Sequence, residues 1–306
     1  MLRNDKRLRI QRAILSWYRK HGRQLPWRKT KDPYRILVSE VMLQQTQVNR
    51  VLEKYPEFLR RFPSIGVLAK APKRDVVMAW SGMGYNNRAV RLHALAQQVA
   101  RHHQGSLPQS CETLLALPGI GKYTAHAVLS SAFGRRRAVV DTNVRRVLSR
   151  LLWEMPSTSG RMDERSAWSA AETLLPKRSF YKWNQALMDL GATLCTARAP
   201  RCSACPAVKY CASATSMKDR GRRKRRTEPA FRGVPNRIYR GRIVEMLRRS
   251  NGRKHTSVTR IETGLFGRNG RPSKLWLAEL LRSLEKDGLV ALRLGTGMKR
   301  TTVSLA

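Results

Sequence analysis

Acidic side chains are scarce in this sequence. Its 306 residues hold 20 Asp and Glu against 61 Lys and Arg, a formal charge of +41. The excess is not confined to a tail. Residues 216–306 carry 24 basic and 7 acidic side chains, and residues 1–215 carry 37 and 13. A surface so one-sided points to a polyanionic partner, and the dominance of Arg suits the two-pronged grip that phosphate accepts. Charge alone leaves DNA, RNA and a ribosomal partner equally open. Cysteine is rare too. There are five, four of them crowded between Cys195 and Cys211, which argues against a disulfide framework in an intracellular chain. Also missing are any apolar run of the roughly 20 residues that cross a bilayer and an N-terminal apolar core followed by small residues. The expectation is a soluble, cytoplasmic protein with no membrane partner.

What is present is helical periodicity. Apolar positions recur at helical spacing over 8–20, 33–48, 49–61, 64–70, 73–80, 86–103, 110–116, 122–133, 142–152, 163–175 and 179–193, separated by Pro and Gly. No alternating strand pattern precedes residue 235, so the first two-thirds reads as all-α. From Lys218 to Arg226 seven of nine residues are basic, a solvated linker that touches nucleic acid. Beyond it, amphipathic stretches at 237–249 and 272–287 precede strand-like runs at 288–294 and 299–305, joined by Gly295-Thr-Gly297 with Lys299 and Arg300 following. Helices followed by a basic hairpin describe a winged helix, and such a tail is expected to add non-specific duplex affinity. The sequence shows no internal repeat.

Three constellations carry chemistry. Cys195-x6-Cys202-x2-Cys205-x5-Cys211 offers four thiolates and no histidine, a set that suits zinc or an iron–sulfur cube about equally by spacing. Leu117-Pro118-Gly119-Ile120-Gly121-Lys122 is a glycine turn that opens a helix. Its free N–H groups and positive dipole end favour an anion, and its glycines let a phosphate approach the main chain. The third is a pair of carboxylates. Asp141 stands where an N-cap is expected. Glu40 interrupts the apolar run Ile36-Leu-Val-Ser-Glu-Val-Met-Leu43, where it either faces solvent or is buried with a task.

Together these segments resemble the helix-hairpin-helix glycosylases that include endonuclease III, and most of all the MutY family of adenine DNA glycosylases. The likeness runs over about residues 8–214 through Trp17-Tyr18, Leu25-Pro26-Trp27, the Glu40 segment, Gly82-Met-Gly-Tyr85, the hairpin, Asp141 and the cysteines. It implies a mostly α helix-hairpin-helix glycosylase core over 1–215, with a six-helix barrel at about 28–135 and a cluster domain from 1–27 and 136–215. A basic linker (216–235) and a winged-helix-like α+β domain (236–306) would follow.

By the same resemblance Cys195, Cys202, Cys205 and Cys211 would hold a [4Fe–4S] cluster. Gln44, Gln45, Tyr85, Leu117, Gly119, Gly121 and Lys122 would contact double-stranded DNA at a mismatched or damaged pair. Glu40 would protonate a purine, Asp141 would stabilise the sugar cation, and Asn143 would position the catalytic groups. Tyr123 replaces the lysine that forms a Schiff base in bifunctional relatives, which implies base removal without efficient strand cutting. The implied enzyme is a monofunctional, monomeric glycosylase that removes adenine opposite guanine or 8-oxoguanine in base-excision repair. In a prokaryote it would work at the nucleoid. A thymine or uracil mismatch glycosylase on the same scaffold is the alternative, followed by a non-catalytic iron–sulfur DNA-binding protein. Three features depart from the MutY pattern: Asn86 follows Tyr85 where a second tyrosine is usual, Thr142 separates Asp141 from Asn143, and residues 236–306 do not resemble the customary 8-oxoguanine-sensing domain.

Overall fold

The computed structural model describes residues 4–153, 162–216, 228–250, 255–267, 274–295 and 301–306. Among them, helices α1 (Asn4–His21), α2 (Pro33–Leu43), α3 (Val48–Arg61), α4 (Ile65–Lys70), α5 (Lys73–Ala79), α6 (Asn87–His102), α7 (Cys111–Leu115), α8 (Lys122–Ser131), α9 (Thr142–Leu152), α10 (Glu164–Leu174) and α11 (Phe180–Thr193) follow one another with no strand between them. Several begin where a short polar side chain caps the first turn. Ser64, Ser110, Asp141 and Asp163 each accept a hydrogen bond from the main-chain N–H three residues on.

Contacts divide the chain into two units. The first is Met1–Leu37, Gln109–Ala116 and Ile120–Arg225, and the second is Val38–Pro108, Leu117–Gly119 and Arg226–Ala306. In the first unit, α1, α9 and α11 bury a core of Ile10, Ile14, Val144, Leu148, Trp183 and Leu190. Beside that core lies a fully buried carboxylate, Asp189. Arg28 meets it with two nitrogens at 2.8 Å each, and Arg23 adds its main-chain N–H and guanidinium. Burial works against this charge, but the hydrogen bond and charge of Arg28 outweigh it and hold Asp189 below the ordinary aspartate range.

In the second unit, α3 and α6 place Val51, Phe58, Leu92 and Leu95 inside, and Phe58 meets Trp80 edge to face at 5.6 Å. The C-terminal elements are α12 (Asn236–Arg249), β3 (Thr256–Ser257), α13 (Val258–Phe266), α14 (Lys274–Lys286), β4 (Val290–Arg293) and β5 (Thr302–Leu305). The sheet is antiparallel in the order β3-β5-β4, with Leu292 opposite Val303. Helix, strand, two helices and a closing hairpin is the winged-helix arrangement. The turn with Lys299 and Arg300 and the basic run 218–226 lie outside the described residues.

Two expectations need correction. The helix expected from 33 to 48 stops at Leu43, and a turn at 44–46 carries Gln45 at φ +56°. The carbonyls left open at that helix end are taken by Arg88, described below. A small strand pair, β1 (Ala230–Phe231) with β2 (Val234–Pro235), also lies within the stretch read as linker. Each strand is too short to show alternation, and the turn relies on positive φ at Arg232 and Gly233.

Candidate active site and cysteine-lined recess

Asp141 caps α9 at the end of an extended segment that belongs to no sheet. Side chains satisfy that segment's main chain instead. His126 meets the Ala138 carbonyl at 2.8 Å, Asn184 donates to the Arg137 carbonyl at 2.9 Å and accepts from the Val139 N–H at 3.3 Å, and Glu172 accepts from the Ala138 N–H at 3.2 Å. Burial lowers the His126 imidazole, which favours the neutral ring at neutral pH. The Asp141 carboxylate is therefore held from both sides. Its Oδ1 accepts from the Val144 N–H at 2.6 Å and its Oδ2 from Asn143 Nδ2 at 3.1 Å. Burial pushes the Asp141 carboxyl above the ordinary aspartate range, against the pull of Val144, Asn143 and Arg146.

Arg146 joins this carboxylate to the cysteine loop. Its Nη2 donates to Asn143 Oδ1 at 2.8 Å and to the Gly191 carbonyl at 2.7 Å, while its Nε reaches the Cys195 carbonyl at 2.8 Å. One turn further, Arg150 donates to the Thr196 carbonyl at 2.7 Å and to Cys195 Sγ at 3.2 Å. Both guanidinium groups are buried.

Cys195, Cys202, Cys205 and Cys211 line one recess with Arg150 and Leu194. Burial raises the Cys202 and Cys211 thiols and pushes Cys205 up to about 11. Among the described residues no group of three or more donors is arranged about a single ion. Cys111 lies outside the recess, at the start of α7.

The hairpin divides its two glycines by role. Gly119 has φ +78°, and a β-carbon there would stand 3.1 Å from Arg91 Cβ, so geometry and space both require glycine. Gly121 is extended at φ −100° with nothing within 4 Å of a β-carbon, so the fold itself does not demand it. The Leu117 side chain is buried, which leaves only its main chain to meet a phosphate. Lys122 is exposed, yet its ammonium lies 4.2 Å from the centre of the Trp168 ring, a cation–π contact. Tyr123 is half-buried on the next helical position.

Glu40 is buried on α2, at 6% exposure. Past the end of that helix, Gln45 (φ +56°) and Tyr85 (φ +43°, 44% exposed) hold left-handed conformations unusual for side-chain-bearing residues. Arg88 holds both loops. Its Nη1 donates to the carbonyls of Val41, Met42 and Gln44 at 2.8, 2.9 and 2.6 Å. Its Nη2 meets Thr46 Oγ1 at 3.0 Å and the Met83 and Gly84 carbonyls at 3.1 Å. Burial lowers its pKa to about 10. Sequence reading missed Arg88, Arg146, Arg150 and Asn184. For the three arginines the one available signal was charge inside otherwise apolar helical faces; the neutral Asn184 gave none.

An adenine DNA glycosylase of Mycobacterium tuberculosis is 38% identical to this chain over 285 residues, covering 91% of the chain and 92% of that protein. The family model described as HhH-GPD superfamily base excision DNA repair protein matches residues 38–172. The chain belongs to the adenine DNA glycosylase family of that superfamily. Among solved structures, a thermostable thymine-DNA glycosylase matches with a TM-score of 0.64 at 34% identity, over 69% of this chain and 97% of that one. An endonuclease III–DNA complex shares the fold at 22% identity and a TM-score of 0.60, over 70% of this chain and 97% of that one. The M. tuberculosis match, at 91% of the chain, reaches into the C-terminal region.

Proposed function

We propose that the protein is a monofunctional DNA glycosylase of base-excision repair that hydrolyses the N-glycosidic bond of adenine mispaired with guanine or 8-oxoguanine. The observation that carries this reading is the burial of Glu40 in an apolar helix. A carboxyl there is costly, and a purine leaving group is what requires a buried acid: protonation at the ring, at N7, lets adenine depart as a neutral base. The target nucleotide leaves the stack, with Gln45 and Tyr85 on the two loops that Arg88 ties together, and Gln44 beside them. As the glycosidic bond breaks, positive charge develops on the sugar. Asp141, pinned by Val144 and Asn143, stabilises that charge, and water completes the hydrolysis. The main chain of Gly119 and Gly121 at the start of α8 holds a backbone phosphate, which positions the duplex without reading its sequence.

The four cysteines fit a [4Fe–4S] cluster. They share one recess, and Arg150 places positive charge 3.2 Å from Cys195 Sγ, which complements the net negative charge of four thiolates on a cluster. The bound cluster would serve as the rigid core of the loop, and Arg146 links that loop to Asn143. Tyr123 has no amine, and Lys122 is engaged by Trp168, which supports base removal without a Schiff base. The chain works as a monomer on duplex DNA, in the cytoplasm and, in a prokaryote, at the nucleoid. No described helix is long and apolar enough to cross a membrane.

A single-turnover assay tests the assignment, with adenine, thymine or uracil placed opposite guanine and adenine opposite 8-oxoguanine. Release of adenine alone is expected. Release of thymine or uracil in place of adenine would move the protein to the mismatch branch, to which the thymine-DNA glycosylase likeness belongs.

A further inference from the structure

The winged-helix elements and helices α5 and α6 of the second unit share a core. Val77 of α5 is buried in the same cluster as Tyr239, Ile243, Leu247 and Leu281, and Val90 of α6 packs against it. Over this contact lies a polar clamp. Arg248 of α12, 7% exposed, donates to the Val77 carbonyl from Nη2 at 2.6 Å and Nε at 3.2 Å. The same Nη2 reaches Asn86 Oδ1 at 3.0 Å. Glu245, one turn earlier, accepts from Arg248 Nη1 at 3.2 Å and from Ser81 Oγ at 3.3 Å. Ser81 and Asn86 are the two ends of the loop between α5 and α6. The exposed, left-handed Tyr85 is next to Asn86, and Arg88 ties the same loop to Gln44. The loop is thus gripped by two arginines, Arg88 of α6 and Arg248 of α12.

We propose that Arg248 is a positioning residue for base extrusion: through Asn86, the winged-helix domain sets the loop that presents Tyr85 to the DNA. This rests on the adenine glycosylase reading and assigns the C-terminal domain a part in recognition that phosphate contacts alone would not give it. A buried guanidinium is costly unless its donors are well placed, and here two of its four contacts go to the Val77 carbonyl of α5, one to Asn86 at the end of the loop, and one to Glu245, which itself holds Ser81 at the start. Lysine cannot reproduce the fork, because its ammonium cannot span Val77, Asn86 and Glu245 from one plane. Deleting the domain would not test the idea, since it would also uncover Val77 and Val90. Point variants separate the two effects.

The experiment compares wild type, Arg248→Lys, Arg248→Met, Asn86→Ala and the double variant Arg248→Met with Asn86→Ala. Arg240→Gln serves as control, because it breaks a partly exposed α12 ion pair with Asp287 away from the loop. Three quantities are measured: excision of adenine under single turnover, fluorescence of 2-aminopurine placed at the target site, and affinity for undamaged duplex. In the Arg248 variants and Asn86→Ala, extrusion and excision should slow by about tenfold, with duplex affinity unchanged and Arg240→Gln like wild type. The double variant should be no slower than the slower single one, because both substitutions break the same Arg248–Asn86 link. Asn86→Ala and Arg248→Lys decide the matter if Arg248→Met does not fold. Wild-type extrusion rates in those two variants would overturn the proposal, as would a parallel loss of affinity for undamaged duplex. If wild type releases no adenine, the underlying reading fails first, and that result is seen before any variant is compared.

Discussion

Gly191 and Asn143 stand so close that a β-carbon on the glycine would lie 2.8 Å from Asn143 Cβ. This is where α11 crosses α9, and Asn143 is the residue that holds Asp141 Oδ2. The absence of one side chain therefore leaves room for the residue that holds the Asp141 carboxylate. Gly191→Ala should destabilise the protein by about 1–3 kcal/mol through overpacking. It should also slow single-turnover excision without altering any group that meets the substrate. Chemical denaturation and rate measurements on the same preparation check both, and an unchanged rate would show that Asn143 does not transmit the displacement.

Asp141→Asn should reduce base release by roughly 10²–10³-fold or more, in the range for removing one transition-state stabiliser, and leave duplex binding near normal. The pH profile carries a sign. The raised pKa of Asp141 means that it gains its proton at a higher pH than an ordinary aspartate. On the role proposed for Asp141, in which the ionised form stabilises the sugar cation, excision should fall on acidification from above the usual aspartate range. Single-turnover rates across mildly acidic pH should show that limb in wild type.

Arg88→Met should cost roughly 3 kcal/mol, because main-chain carbonyls from two loops lose their donor inside the protein. Arg88→Lys should recover only part, since one ammonium cannot serve both loops. Urea unfolding with both variants measures the difference, and a loss below about 1 kcal/mol in Arg88→Met would contradict the keystone role.

Borohydride added during the reaction should trap little covalent enzyme–DNA adduct, and product strands should break only after alkali. Efficient trapping that disappears in Lys122→Ala would show that Lys122 leaves the Trp168 ring and reaches the sugar.

Anaerobically purified protein should be yellow-brown and contain about four irons per chain. Arg150→Gln should make the visible absorbance bleach faster in air, because Cys195 loses its cationic neighbour. Stoichiometric zinc in place of iron would remove the cluster assignment.

Much of the helical order was legible because its signals are local. The caps at Ser64, Ser110, Asp141 and Asp163 act over three residues, and Pro and Gly mark the breaks between amphipathic runs. The same locality failed at residue 44. The apolar pattern continues to Val48, but α2 ends at Leu43, since the partner that takes its last carbonyls is forty-odd residues away. The β1–β2 hairpin escaped notice because strands of two residues have no period.

The sequence by itself determined the donors: four cysteines at fixed intervals, a glycine hairpin opening α8, an aspartate at a helix start and a glutamate inside an apolar run. Tertiary structure decided what those donors are attached to. It buried Glu40, engaged Lys122 on Trp168, and linked Asp141 through Asn143 and Arg146 to the cysteine loop. It also joined the winged helix to the Tyr85 loop through Arg248. The reason is physical. Arg88, Arg146, Arg150 and Arg248 are satisfied largely by main-chain carbonyls distant in sequence, and a carbonyl is the same acceptor whichever residue carries it. No side-chain pattern marks where such a bond will form, so only the folded chain reveals it.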